Sequence, residues 1–249
     1  MRGRELKRLA GRIALVTGAS RGLGAAIAER FAAEGARLIL VARTSGGLEE
    51  TDDRVRSAGS EATLVPLDLT KPAGIDQLGG ALAERFGRLD ILVGNAGELA
   101  ALSPVSHAEP ALVERLLAIN LIANFRLIRS LDPLLRASDA GRAIFVTAGQ
   151  ARDRKPFWGA YAASKAGLEA LVAAYAAETK RTSVRVNLVD PGPFRSRLRA
   201  TAYPGENQAR LTAPEDLTGT FVDLAEPDCT RHGELVRIQK LETTETHQA

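Results

Sequence analysis

Two stretches of this chain carry residues whose types and spacing could do chemistry. In the first, Val16-Thr17-Gly18-Ala19-Ser20-Arg21-Gly22-Leu23-Gly24, an apolar strand (Ile13 to Val16) gives way to a small-residue helix across three glycines. Gly18 permits a sharp turn, Gly22 lets backbone approach a diphosphate with no Cβ in the way, and Gly24 lets the new helix lie close on the sheet. The free N–H groups at such a helix start then face the anion. Ordinary tight turns also collect glycine, but a strand before and a helix after favour phosphate chemistry. In the second stretch, Tyr161 and Lys165 stand four residues apart in a helical segment from about Trp158 to Thr179, so a phenol and an ammonium share one face.

The elements that must position these groups alternate along the chain. After a first helix (Gly22 to about Glu34, stopped at Gly35), Arg37 to Val41 reads as a second strand. Its end lacks the acid that grips a ribose diol and carries Arg43 and Thr44, with Arg21 nearby in the glycine turn. Two guanidiniums and a hydroxyl favour a 2′-phosphate, hence NADP(H) over NAD(H), against the plainer alternative that both arginines are only solvated. A helix from about Leu48 to Ser57 precedes a third strand, Ala62 to Pro66, and Asp68 lies just past it, where ligands of open parallel sheets bind. Asp68 is either an acceptor for an adenine amino group or a turn residue. Thr70 is placed to N-cap a helix running to about Phe86, whose Gly79 and Gly80 each cost about 1 kcal/mol relative to alanine and weaken its continuity.

Leu89 to Val93 reads as a fourth, doubly buried apolar strand, and the small-residue turn Gly94-Asn95-Ala96-Gly97 follows at the same end of the sheet. From about Pro110 to Leu131, Leu112, Leu116, Ile119 and Ala123 recur at helical spacing, and Asn120 interrupts their buried side. An unsatisfied buried amide costs about 1 to 3 kcal/mol, so Asn120 either caps a local kink or holds something functional. A fifth strand, Ala143 to Thr147, opens onto Ala148, and a sixth, Val184 to Val189, ends in Asp190-Pro191-Gly192-Pro193. The segment from about 193 to 214 is rich in Pro, Gly and Arg without periodicity and reads as a substrate loop. A last strand, about Glu234 to Ile238, precedes a polar tail. Such alternation argues for a Rossmann-type α/β fold, a doubly wound parallel sheet of about seven strands with helices on both faces.

Composition excludes several function classes. The 249 residues, 45% of them hydrophobic, suit one domain spanning 1–249, with 1–10 and 241–249 as peripheral tails and no linker. Net charge is only +3 and bases are interspersed with acids, so neither nucleic acid nor another polyanion is implied. One cysteine, Cys229, rules out an intrachain disulfide, and the dispersed His107, His232 and His247 offer no metal-ligand spacing. The basic N-terminus lacks an apolar h-region and no apolar run approaches the ~20 residues of a membrane span, so a soluble cytoplasmic protein is expected.

Together, Thr17-Gly18-Ala19-Ser20-Arg21-Gly22-Leu23-Gly24, Asp68, Asn95-Ala96-Gly97, Asn120, Tyr161-x-x-Ser164-Lys165 and Pro191-Gly192 resemble the short-chain dehydrogenase/reductase family in order and spacing, closest to poorly characterised bacterial members. The resemblance implies a hydride moving between nicotinamide and a carbonyl or alcohol carbon, with Tyr161 as general acid or base. A phenol titrating near 10 is a poor base at neutral pH, and a nearby ammonium with an oxidised nicotinamide favours its phenolate. Lys165 would supply that charge and bind the nicotinamide ribose, and Asn120 would hold a water on the lysine. Gly18, Ser20, Arg21, Leu23 and Gly24 would surround the phosphates, Arg43 and Thr44 the 2′-phosphate, and Asp68 and Leu69 the adenine. Asn95, Ala96 and Gly97 would line the central cleft, and Pro191, Gly192, Phe194 and Ser196 the nicotinamide. The family also implies a homodimer or homotetramer paired through the helices that carry Asn120 and Tyr161.

One departure stands out. The family's catalytic serine, thirteen residues before the tyrosine, is Ala148 here. That serine donates to the reacting carbonyl oxygen, and losing one such preorganised donor costs about 10² to 10³ in rate. Thr147 is adjacent but faces the other side unless the strand end is bulged. A weak or pseudo-enzyme, a substrate oriented by another group, and a serine removed by design all stay open, as does a nucleotide-binding regulatory role. Arg152, Arg154, Lys155, Arg195, Arg197 and Arg199 around the mouth raise an anionic substrate such as an acyl thioester, against a merely solvated loop.

Overall fold

Alternation of side chains along the apolar runs divides the chain's hydrophobic mass into two cores. Along β1 (Ile13–Thr17) Ala14 and Val16 face one core and Ile13 and Leu15 the other, and along β2 (Arg37–Ala42) Leu38 and Leu40 oppose Ile39 and Val41 in the same way. Burial on both faces fits a parallel sheet covered by crossover helices. The computed structural model describes residues 7–238. Between those strands lies α1 (Gly22–Ala33), and after them come α2 (Ser45–Ser57), β3 (Ala62–Pro66), α3 (Pro72–Phe86) and β4 (Ile91–Gly94). The second half contains α4 (Pro110–Leu117), α5 (Ala123–Arg136), β5 (Arg142–Val146), α6 (Gln150–Asp153), α7 (Gly159–Thr179), β6 (Arg185–Asp190), α8 (Arg197–Ala202), α9 (Thr218–Ala225) and β7 (Leu235–Arg237).

All seven strands pair in parallel, in the order β3-β2-β1-β4-β5-β6-β7. Helices α1, α2 and α9 pack on one face around Phe31 and Phe221, and α3, α5 and α7 on the other around Leu131 and Leu168. This is the expected Rossmann-type architecture. The order reverses between β1 and β4, and at that switch point the strand ends part to leave a crevice at their carboxyl edge. The expected tail 241–249 and His247 lie outside the described residues. No described helix is long and apolar enough to cross a membrane.

Several elements differ from the expectation for identifiable reasons. The fourth strand starts at Ile91, not Leu89, because Asp90 breaks the apolar run; its buried carboxylate accepts from Ile13 N–H (2.8 Å), Ser138 Oγ (2.6 Å) and Arg88. Helix α2 begins at Ser45, three residues earlier than its apolar pattern. Thr70 is not an N-cap: Lys71 holds that position, and the Thr70 hydroxyl donates to Asp68 Oδ1 (2.7 Å). The helix expected over 110–131 is interrupted by a π-helical segment, Ala118–Ile122, in which Ala123 N–H donates to Ala118 O, five residues back. Leu112, expected in the core, is 39% exposed, whereas Leu116 is buried. The segment 193–214 is not structureless; it carries α8, capped by Ser196 Oγ accepting from Arg199 N–H (3.1 Å), and a short 3₁₀ turn at Gln208–Arg210.

Helix α3 is continuous through both glycines, and they are not equivalent. The Ser130 hydroxyl of α5 inserts at Gly79, donating to Ile75 O (3.0 Å) and accepting from Gly79 N–H (3.1 Å), and a Cβ on Gly79 would overlap both Ser130 Oγ and its carbonyl oxygen. A Cβ on Gly80 would meet nothing within 4 Å. Gly80→Ala is therefore expected to stabilise the fold by about 0.5 to 1 kcal/mol. Gly79→Ala should destabilise it by about 1 to 3 kcal/mol despite the same gain in helix propensity. Denaturant unfolding of the two variants checks the opposite signs.

Candidate active site

The two glycine-containing turns meet at the switch point. Thr17, the last residue of β1, is fully buried; its Oγ1 donates to Val93 O (3.2 Å) and accepts from the N–H groups of Asn95 and Ala96 (3.0 Å each), while Asn95 Nδ2 donates to Thr17 O (2.9 Å). These bonds fix the Asn95–Gly97 turn against the phosphate-type turn. A Cβ on Gly24 would overlap Gly18 O, so only glycine lets α1 start this close to the strand end. Gly22 has φ +55° and open space where a Cβ would sit, and no side chain caps the start of α1. The N–H groups at that helix start are thus left to a ligand, and the turn fits a diphosphate.

Downstream of this turn a cleft of about 560 Å³ is walled by Leu23, Asn95, Gly97, Ala148, Tyr161 and Lys165, with Pro191, Gly192, Phe194 and Ser196 across from them. The structure thus gathers the residues expected at the nicotinamide end. Ser20 and Arg21, expected around the phosphates, and Arg43, Thr44, Asp68 and Leu69, expected at the 2′-phosphate and adenine, follow separately along the ends of β1 to β3. There Asp68 is braced by Thr70 N–H (3.0 Å) and hydroxyl, which hold its carboxyl below the ordinary carboxylate range. The Leu69 side chain is buried in the core. Arg21 is exposed, and Arg43 pairs with Glu98 (3.0 Å).

Tyr161 and Lys165 lie one turn apart on α7, both buried. Lys165 Nζ donates to Val146 O (2.9 Å) at the end of β5. Burial lowers its pKa to about 8, against the opposing pull of Glu169 and Asp190. The Tyr161 ring packs edge-on against Trp158 (centroids 5.8 Å apart). Burial first, and the Asp190 carboxylate second, push its pKa above the ordinary phenol value. The expected depression by the Lys165 ammonium is not among the causes of this shift, whose direction is set by desolvation of the phenolate. Asn120 sits fully buried in the π-helical segment with its amide satisfied: Oδ1 accepts from Glu98 N–H (2.9 Å), and Nδ2 donates to Glu98 O and Ser164 Oγ (3.0 Å each). A Cβ on Gly97 would stand 3.2 Å from Asn120 Oδ1 and 3.5 Å from Lys165 Nζ.

The neighbouring Thr147 hydroxyl is not free to replace the one missing at Ala148. Thr147 keeps the strand register, its N–H donating to Val189 O (2.9 Å), and its Oγ1 donates to Glu169 Oε1 (2.7 Å). Arg152 of α6 bridges that Glu169 and Asp190. This triad under the cleft was not signalled by spacing, since its members come from α6, α7 and the end of β6. The expected basic mouth is largely neutralised: beside Arg152, Lys155 pairs with Asp153 (3.8 Å), Arg195 with Glu215 (4.0 Å), and Arg199 bidentately with Glu206 (2.6 Å) while stacking on Tyr203. Among the described residues no group of His, Cys, Asp or Glu could hold a metal ion.

A glycine turn open to diphosphate at a switch point, with a buried Tyr-Lys pair beside it, defines a dinucleotide-dependent oxidoreductase site. The chain belongs to the short-chain dehydrogenase family, whose model matches residues 12–207. It is 34% identical over 223 residues to the uncharacterized oxidoreductase YciK of Escherichia coli, covering 88% of each chain. It is 40% identical over 200 residues, 76% of this chain and 75% of the other, to the rhamnolipids biosynthesis 3-oxoacyl-[acyl-carrier-protein] reductase of Pseudomonas aeruginosa. Among solved structures, a chain described as a short chain dehydrogenase from Escherichia coli CFT073, complexed with NADPH, superposes with a TM-score of 0.90 at 32% identity, covering 95% of this chain and all of the other.

Lys165 gives a pH test with a definite sign. Its folded-state pKa of about 8 lies below the ordinary 10.5, so between those values the unfolded chain binds more protons and stability rises with pH. Below pH 8 the fold carries the full cost of a buried ammonium. Lys165→Met should therefore raise the thermal midpoint at pH 7, and the gain should shrink as pH approaches 10.5. Thermal unfolding across that range checks it.

Proposed function

We propose that this chain is an NADP(H)-dependent oxidoreductase acting on a carbonyl/alcohol pair, slowed by the absence of a hydroxyl at position 148. The observation that carries the reading is the buried Tyr161–Lys165 pair in the wall of a cleft that continues from the open glycine turn. The dinucleotide, when bound, supplies or accepts the hydride. Leu23, Gly97 and Gly192 shape the cavity beside Tyr161 that takes the reacting carbon. In reduction Tyr161 donates its phenolic proton to the developing alkoxide, and the reverse reaction returns that proton to the phenolate. The raised phenol pKa keeps Tyr161 protonated but makes it a weaker acid, and stabilisation of the phenolate by the Lys165 ammonium works against that cost during proton transfer. Asn120 keeps Glu98, and with it the turn carrying Gly97, at a fixed distance from Lys165. Arg43, Thr44 and Arg21 are assigned to the 2′-phosphate, and the NADPH bound by the structural relative supports NADP(H) as the cofactor.

The family implies that this oxidoreductase is a homodimer or homotetramer. Ile122 and Phe125, apolar and 43% and 44% exposed on the outer side of the π-helical segment and α5, support pairing there. A monomeric mass in solution would contradict it. The substrate is a small carbonyl or alcohol; an acyl thioester, as in the 3-oxoacyl reductase relative, is the narrower candidate, and the paired arginines of the mouth weaken the electrostatic case for it.

A nucleotide-binding protein without turnover is the competing reading, and the Thr147 hydroxyl committed to Glu169 favours it. NADPH oxidation with a panel of ketones, aldehydes and 3-oxoacyl thioesters separates the two. Tyr161→Phe should lower kcat by about 10² to 10⁴, and Ala148→Ser should raise it by about 10²-fold. No turnover by either the parent or Ala148→Ser would sink the enzymatic reading.

A further inference from the structure

Glu98, the residue after the Asn95–Gly97 turn, joins the two ends of the cleft. Its backbone is held by Asn120 on both sides, N–H to Oδ1 and carbonyl to Nδ2. Its carboxylate reaches toward the end of β2, where Oε1 forms an ion pair with Arg43 Nη1 (3.0 Å), and it is held from α4 by Arg115, whose Nη2 donates to Oε1 (3.0 Å) and Nε to Oε2 (2.8 Å). Arg43 also acts electrostatically on Asp68 at the end of β3. A carboxylate is therefore lodged between two guanidiniums over the strand ends along which the adenosine half of a dinucleotide extends.

We propose that Glu98 is a specificity-determining residue of the dinucleotide site, an internal anion that a 2′-phosphate must displace from Arg43, with Arg115 as its second holder. This rests on the NADP(H) reading above. A 2′-phosphate that engages Arg43 must first break the Arg43–Glu98 ion pair, and that lost pair is subtracted from the phosphate's own bonds to the guanidinium. A dinucleotide without the 2′-phosphate leaves the Arg43–Glu98 pair intact. Glu98 therefore weakens the phosphorylated cofactor selectively, narrowing the preference that Arg43 creates. A sequence reading that looks for an acid only at the end of the second strand misses it, because here the acid arrives from the end of the fourth.

The test is direct titration of NADPH and NADH into the full chain by calorimetry. Glu98→Gln keeps the side chain's shape and the backbone bonds to Asn120 while removing the charge. It should tighten NADPH about fivefold, the upper range of one partly exposed ion pair, and leave NADH unchanged within about twofold. Glu98→Ala should give the same differential, which guards against an effect of the introduced amide. In an Arg43→Gln background NADPH binds more weakly and Glu98→Gln has no further effect. An unchanged or weaker NADPH affinity in both Glu98 variants, an equal gain for NADH, or a gain that persists without Arg43 would each overturn the proposal. A parent protein that binds neither dinucleotide would overturn the NADP(H) reading itself, an outcome distinct from binding without the Glu98 differential.

Discussion

The cleft exists because two adjacent parallel strands, β1 and β4, send their chains in opposite directions, and the interaction that holds their parting ends in register is the buried Thr17 hydroxyl. It donates once and accepts twice, so each polar atom in that dry corner has a partner. A buried hydroxyl with unfilled capacity would destabilise the corner, and a methyl in its place would leave two N–H groups of the Asn95 turn without acceptors. The turn so fixed carries Gly97, and Gly97 stands against Asn120 and Lys165. The turn that carries Gly97 is thus hung from the first strand through a chain of short polar contacts, while α7, with Tyr161 and Lys165, is held on the hydrophobic core through Leu168.

Burial does opposite things to the two central groups. Removing water raises the phenol of Tyr161 and lowers the ammonium of Lys165, bringing their proton affinities apart from their ordinary values and toward neutrality for the lysine alone. Glu169 and Asp190 act against the second shift, and Arg152 neutralises those same acids. The site is therefore a balance of desolvation against a small buried charge cluster, and an arrangement of this kind sacrifices stability for a lysine that stays near its titration point.

Much of this was legible in the sequence, and the legible part is local. The glycine turn and the Tyr161–Lys165 pair announce themselves because both depend on spacings of two to four residues within one element. The strands were readable from apolar runs, apart from Asp90, whose carboxylate ends the run while serving as an anchor. What could not be read are pairings made by topology: Thr17 with Asn95, 78 residues apart, Arg152 with Asp190, 38 apart, and Glu98 with Arg43. Charged residues along a solvent-exposed edge look alike in one dimension, so the acids that neutralise the basic mouth were invisible there. Asn120 stands out in the sequence as a polar residue on an apolar face, and in the fold the break in the helix and its amide network coincide.

That break has a geometric corollary. A π-helical turn holds one residue more than an α-helical one, and each residue of an α-helix advances about 100° around its axis. The surplus residue between Ala118 and Ile122 therefore sets the angular phase between α4, which presents Leu116 to the Trp158–Tyr161 cluster, and α5, which presents Leu127 and Leu131 to the sheet. Loss of a single residue anywhere in those five positions would regularise the backbone hydrogen bonding and at the same time turn one of those two faces away from its partner. The segment on this account resists any change of length, and its inward-facing Ile119 and Asn120 resist substitution as well.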